Sequence, residues 1–241
     1  MSRFWAISGL ALRELWMSFR LLALVAVVTA ASLPALLLPP AVVPDLAGAP
    51  PDRLTWFATL LAVALAVGGG VAGFSVGAER RRGSAGWLVS RALPRPTLLL
   101  AWFASVALVV AAGMVPAGVL AWVALDGPAL VPGGPVAFGL VLASVFVTAA
   151  LAVALGCLVG ALLPPLPAAL VAILLAGIPM AVAAIQHLAL PAMPGSPLGV
   201  LATLDEAARP VSAALQAGGV ALGLTAALLV LAALAFERAD L

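Results

Sequence analysis

Residues Thr97 to Leu125 read TLLLAWFASVALVVAAGMVPAGVLAWVAL, 29 residues without one Asp, Glu, Lys or Arg. As a helix this stretch is about 43 Å long at 1.5 Å per residue, against a hydrocarbon core of about 30 Å. Its apolar residues are continuous rather than alternating, which excludes the strands of a membrane β-barrel. Five further stretches are also free of charge: 21–38, 54–78, 136–163, 168–190 and 211–236. The first is just long enough to cross a bilayer and the others are ample. Only 8% of the 241 residues are charged, and every one of those lies outside these six stretches. A soluble domain carries roughly 25% charged residues, so the expected fold is an all-α polytopic membrane protein. It is a single transmembrane domain over residues 1–241 with six transmembrane helices at those positions.

The charges orient the chain. Before the first span stand Arg3, Arg13 and Arg20, between the second and third stand Arg80, Arg81, Arg82, Arg91 and Arg95, and the tail carries Arg238. Only Arg53 and Arg209 fall on the opposite side, a bias that places both termini in the cytoplasm. The acids follow the reverse trend, giving a net charge of +5 inside and −3 outside. The isoelectric point of about 10.0 does not indicate a nucleic-acid partner, because it arises from a net charge of +2 in a chain with no Lys and no Tyr. Leu21 to Ala30 resembles the apolar core and small-residue site of a signal peptide, but the apolar run continues to Leu38, which favours a span.

Residues 1–20 read as an N-terminal amphipathic interfacial helix. Phe4, Trp5, Leu12, Leu15 and Trp16 are expected at the headgroup level, with Arg13, Glu14 and Arg20 facing water. On the outer side, Ser196-Pro197 followed by Leu198, Leu201 and Leu204 predicts a short helix. On the inner side, the connection between spans four and five is only Pro164-Pro-Leu-Pro167, a tight turn without room for a partner.

No span contains Asp, Glu, Lys or Arg, so the acid pairs and coupling-ion ligands of intramembrane proteases and proton-driven carriers are missing. His187 and Gln186 fall near the outer boundary, and Cys157 is the single cysteine. No metal site is expected. A P-loop needs a Lys after its glycines, so with no Lys this chain cannot hold one. Gly69, Gly73 and Gly77 recur every fourth residue in span two and open one face to a closely packed helix, from this chain or from another. Pro116 and Pro179 interrupt spans three and five.

The segment over 79–96 reads Glu79-Arg-Arg-Arg-Gly83-Ser84-Ala-Gly-Trp87-Leu88-Val-Ser-Arg91-Ala-Leu-Pro94-Arg95-Pro96. Gly83 and Ser84 suit the end of a span and the cap of a new helix, which Pro94 limits to about 85–93. Trp87 and Arg91 are four apart, as are Leu88 and Ala92, so one face combines an aromatic, an aliphatic and a cation. Two readings are open on physics alone: a helix that docks on a partner, or a basic loop that sets orientation and touches anionic lipid.

At this segment the chain resembles the ABC-2 family of ATP-binding-cassette transporter permeases. Such proteins carry, between spans two and three, a Glu, three residues, Gly and Thr or Ser, a leucine-rich short helix, and an Arg shortly before span three. Glu79, Gly83, Ser84, Leu88 and Arg95 match in spacing. Gly86 stands where the family often has an acid, and Ala92 where it usually has Pro. The resemblance runs along the whole chain, from the Arg13-Glu14 pair of the first segment through six spans to the tail.

The resemblance implies the membrane subunit of an exporter in a prokaryotic cell (inner) membrane. Residues 79–96 would carry a cytoplasmic coupling helix that docks on a separate P-loop ATPase subunit, with Trp87 and Leu88 as anchors and Arg91 and Arg95 orienting it. Glu79 would pair with Arg13 or with the ATPase. The permease would work as a dimer with a second copy or a paralogue, would bind no cofactor and catalyse nothing itself, and ATP and Mg would sit on the partner. Substrate identity is left open, with a hydrophobic or amphiphilic cargo suiting uncharged spans. The alternative is a non-transporting membrane scaffold or assembly factor with the same spans and no ATPase docking.

Overall fold

The structure, a computed structural model, describes residues 2–20, 22–27, 53–82, 95–124, 134–186 and 210–238. All regular structure among them is helical. The elements are α1 (Ser2–Met17), α2 (Arg53–Arg82), α3 (Arg95–Ala124), α4 (Gly134–Leu162), α5 (Pro165–Gln186) and α6 (Pro210–Arg238), with a further helical stretch over 22–27. Of span one, only 22–27 falls within the described residues. The helix expected after Ser196 lies outside them.

The helices overrun the uncharged stretches, and the reason differs at their two ends. At the start, α3, α4, α5 and α6 each have a proline in their first two positions: Pro96, Pro135, Pro165 and Pro210. Proline has no N–H to lose in the first turn, and its fixed φ is already helical. The turn between α4 and α5 thus shrinks to Leu163 and Pro164, shorter than the four residues 164–167, and Ala168 N–H donates to Pro164 O at 2.9 Å. At its far end α2 continues through Arg82, so Glu79 stands on the helix and not at the start of a loop. Glu and Arg are good helix formers, and arginines at a helix C-terminus complement its dipole. The edge of the apolar run marks a change of surroundings and not the end of the helix.

Within α3, Pro96–Leu120 is long and apolar enough to cross a membrane, and so is Gly218–Arg238 within α6. The two differ in how they are covered. The first is 61% buried and belongs to the core of the bundle; the second is only 22% buried, with Leu222, Leu224, Val230 and Leu231 on the outside.

At the centre is α4, packed against α2, α3, α5 and α6. Among the described residues, its contact with α2 is the most extensive, and backbone approaches backbone along it. A Cβ on Gly69 would lie 2.5 Å from Ala152 O, one on Gly160 would lie 2.6 Å from Gly73 O, and one on Gly156 would run into the carbonyl of Gly69. Backbone thus lies on backbone along two turns, the close approach that small residues permit. The same face of α2 also meets α5: a Cβ on Gly73 would lie 3.1 Å from Ala168 O, and one on Gly77 would lie 3.0 Å from Pro165 Cα. The neighbours of the Gly69, Gly73 and Gly77 face are therefore helices of the same chain.

α1 packs along α3 with Ile7, Ala11 and Leu15 buried. Leu15 therefore faces the protein and not the headgroups, a correction that follows from its i, i+4 spacing with Ala11 and Ile7. Ser105 Oγ bonds Ala101 O at 2.7 Å and Ser8 O at 3.2 Å across this contact. The Ser8 hydroxyl is buried without a partner among the described residues, which costs roughly 1–3 kcal/mol. Ser8→Ala is therefore expected to raise thermal stability in detergent by about 1 kcal/mol, checked by a melting curve; a loss of stability of that size would contradict it.

Candidate functional site

The arginine-bearing end of the bundle is where the sequence concentrates its motif, and three elements meet there. The first is the elbow after α1. Ser18 N–H donates to Glu14 O at 2.9 Å and Phe19 N–H to Trp16 O at 3.1 Å, after which the chain turns and Ala23 N–H returns to Phe19 O at 2.9 Å. Phe19 has φ 57°. That left-handed cap is usually a glycine, and a side chain there costs roughly 1–2 kcal/mol. The turn delivers Arg20 to α2. Its Nη1 donates to Ser75 Oγ at 3.0 Å, and its guanidinium carbon lies 4.5 Å from the centre of the Phe74 ring.

Arg20 therefore faces the protein and not water. A guanidinium at the rim of an apolar bundle loses hydration, and here a hydroxyl and a ring face replace it. Four residues after Ser75, on the same face of α2, comes Glu79, 7% exposed. A buried carboxylate is tolerated only when it is partnered, and Glu79 is not without a partner. The arginine brought to this face is Arg20. Arg13, expected as a partner of Glu79, lies exposed on α1 and makes no hydrogen bond or ion pair among the described residues. Its neighbour Glu14 is half-buried.

The second element is the end of α2 itself. Arg80 Nη1 donates to Ala161 O in the last turn of α4, a carbonyl that has no partner within its own helix. Arg81 points outward. The third is the α4–α5 turn, held under Gly77 by Leu163 O and Pro165. The end of α2 is thus bonded to the elbow by Arg20 and to α4 by Arg80, and packs closely on the turn at Gly77.

Of the residues singled out in the motif, Glu79 is described in full and Arg95 opens α3. Gly83, Ser84, Trp87, Leu88 and Arg91 lie outside the described residues. Arg20, Ser75 and Phe74 are functional candidates that sequence reasoning missed. The available signal was a Ser one turn before Glu79 in an otherwise apolar run, which is weak alone.

Mechanically, the segment 83–94 links the end of α2 to the start of α3, two helices that pack against each other. The end of α2 that precedes this segment is in contact with the elbow, with α4 and with the α4–α5 turn. Arg20→Ala removes a charge-assisted hydrogen bond and a cation–π contact, and is expected to lower stability by about 2 kcal/mol. Arg20→Lys should recover part of this, since it keeps the charge but not the planar stack. Thermal unfolding of the two purified variants checks both values, and equal midpoints for Arg20→Ala and wild type would contradict the tie.

No protein-family model matches this chain, and no curated protein matches it.

Proposed function

We propose that the chain is the membrane-spanning subunit of an ABC-2 type exporter, driven by ATP hydrolysis on a separate P-loop subunit. The observation that carries this reading is the motif Glu79, Gly83, Ser84, Leu88 and Arg95 at its spacing between two long helices. Supporting it, the helix before the motif is bonded to its neighbours by Arg20 and Arg80 and packs closely on the α4–α5 turn at Gly77, as transmission of force requires.

Six spans cross a prokaryotic inner membrane with both termini in the cytoplasm. The apolar outward residues of α3, α5 and α6 suit lipid: Val115, Val119 and Val123, Leu166, Leu170 and Leu174, and Leu222 and Leu231 are all exposed. In water such a surface would drive association. The segment 83–94 docks on the ATPase through Trp87 and Leu88, oriented by Arg91 and Arg95. Nucleotide binding there pushes α2 and α3, and two permease copies rock so that an uncharged or amphiphilic substrate crosses or is flipped along their interface. The ATPase supplies the chemistry; this chain supplies the path and the lever.

Sidedness tests the reading. Gly86→Cys is expected to react with a membrane-impermeant maleimide only in inside-out vesicles, with buried Cys157 as an unreactive internal reference. Labelling from the outer side would put the segment out of reach of any cytoplasmic ATPase and end this reading.

A further inference from the structure

The face of α1 turned away from α3 has no cover among the described residues. It exposes Trp5 (68%), Leu10 (59%), Trp16 (62%) and Met17 (66%), although the opposite face is already buried through Ile7, Ala11 and Leu15. A helix apolar on both sides is not a helix with one side in water. In the middle of the outward face stands Arg13. Its helical neighbours at three and four residues are Gly9, Leu10, Trp16 and Met17, every one of them exposed. The cation has no hydrogen bond or ion pair among the described residues. Glu14, the nearest acid in sequence, is half-buried and has a partner.

We infer that this face of α1 is a binding surface for an acidic phospholipid, with Arg13 on the headgroup phosphate and acyl chain along Leu10, Trp16 and Met17. A guanidinium pairs with phosphate through two parallel hydrogen bonds. The arginine stem lies on apolar neighbours while its head reaches the interface, and indoles prefer that same depth. Charge selects the lipid class. A cation with no ion-pair partner among the described residues favours a headgroup with net negative charge over a zwitterion, whose own cation would oppose it. A second copy of this chain is a poor occupant, because pairing through this face would bring two Arg13 guanidinium groups into one interface whose exposed residues Trp5, Leu10, Trp16 and Met17 offer no acid to offset them. The inference rests on the membrane reading of the chain and is independent of ATPase coupling.

The test uses the purified full chain in nanodiscs of phosphatidylcholine, with and without phosphatidylglycerol, following thermal midpoint and lipid adducts by native mass spectrometry. Phosphatidylglycerol is expected to raise the midpoint and to form adducts that Arg13→Gln weakens about fivefold. Arg238→Gln, on exposed α6, should leave them unchanged. Brominated phosphatidylglycerol should quench indole fluorescence, and Trp16→Phe should reduce that quenching. The inference is overturned if Arg13→Gln keeps the full phosphatidylglycerol effect, or if inorganic phosphate in phosphatidylcholine nanodiscs reproduces it. Recovery of the chain in the soluble fraction without detergent would instead overturn the membrane reading.

Discussion

Gly156→Leu is expected to yield no monodisperse protein after detergent extraction, and Gly156→Ala to lower the unfolding midpoint strongly. At this position the Gly69 carbonyl occupies the space that a Cβ would need, and one turn further on Gly160 meets Gly73 O in the same way. Neither obstacle is a side-chain end that can swing aside; both are backbone. The helices must separate, and α4 cannot move from α2 without also moving against α3, α5 and α6. Overpacking of a well-filled contact costs about 1–3 kcal/mol, and backbone obstruction puts Gly156→Ala at the top of that range. Gly9 and Gly223 supply the comparison, since nothing lies within 4 Å of a Cβ built on either. Alanine there is expected to leave stability unchanged or raise it by roughly 0.5–1 kcal/mol through helix propensity. A wild-type midpoint for Gly156→Leu would show that α2 and α4 do not meet at this seam.

The second large effect is expected from Trp87→Asp combined with Leu88→Asp. The pair should remove ATPase association by at least about tenfold, because two buried anchors typically contribute more than 1 kcal/mol each. Membrane insertion and the unfolding midpoint should stay near wild type, since the contacts made by Arg20, Arg80 and Gly77 do not involve either residue. That split between association and stability separates a docking role from a structural one. If ATPase association survives the double substitution, the anchor assignment is wrong.

The helical character of the chain was legible because uncharged runs of this length admit no other structure in a membrane. Helix starts were less so. The spans as read from the sequence begin after Pro135 and Pro210, whereas α4 and α6 already include those prolines in their first turns. The Gly69, Gly73 and Gly77 face could be read from spacing, but its counterparts Gly156 and Gly160 could not. In a chain with 23 glycines and abundant alanine, small-residue pairs occur everywhere, and only the third dimension says which two stripes meet. The N-terminal segment was legible as a helix and illegible in register. Leu15 turned inward because α3 covers that side, and Arg20 turned inward because the left-handed Phe19 redirects the chain toward Ser75. Nothing in local sequence signals that turn, since Phe is an unfavourable residue for it. The central motif residues 83–91 lie outside the described residues, so the motif rests on its spacing and on the way its flanking helix is held.

In the proposed function this chain works with an ATPase carried on a separate subunit. The most direct measurement of this is affinity purification of the intact, tagged chain from native membranes, with quantitation of co-purifying proteins. The account predicts a P-loop ATPase close to one copy per copy of this chain, lost with Trp87→Asp and Leu88→Asp. Wild-type protein that purifies intact and functional with no ATPase would contradict it, and would favour the scaffold or assembly factor.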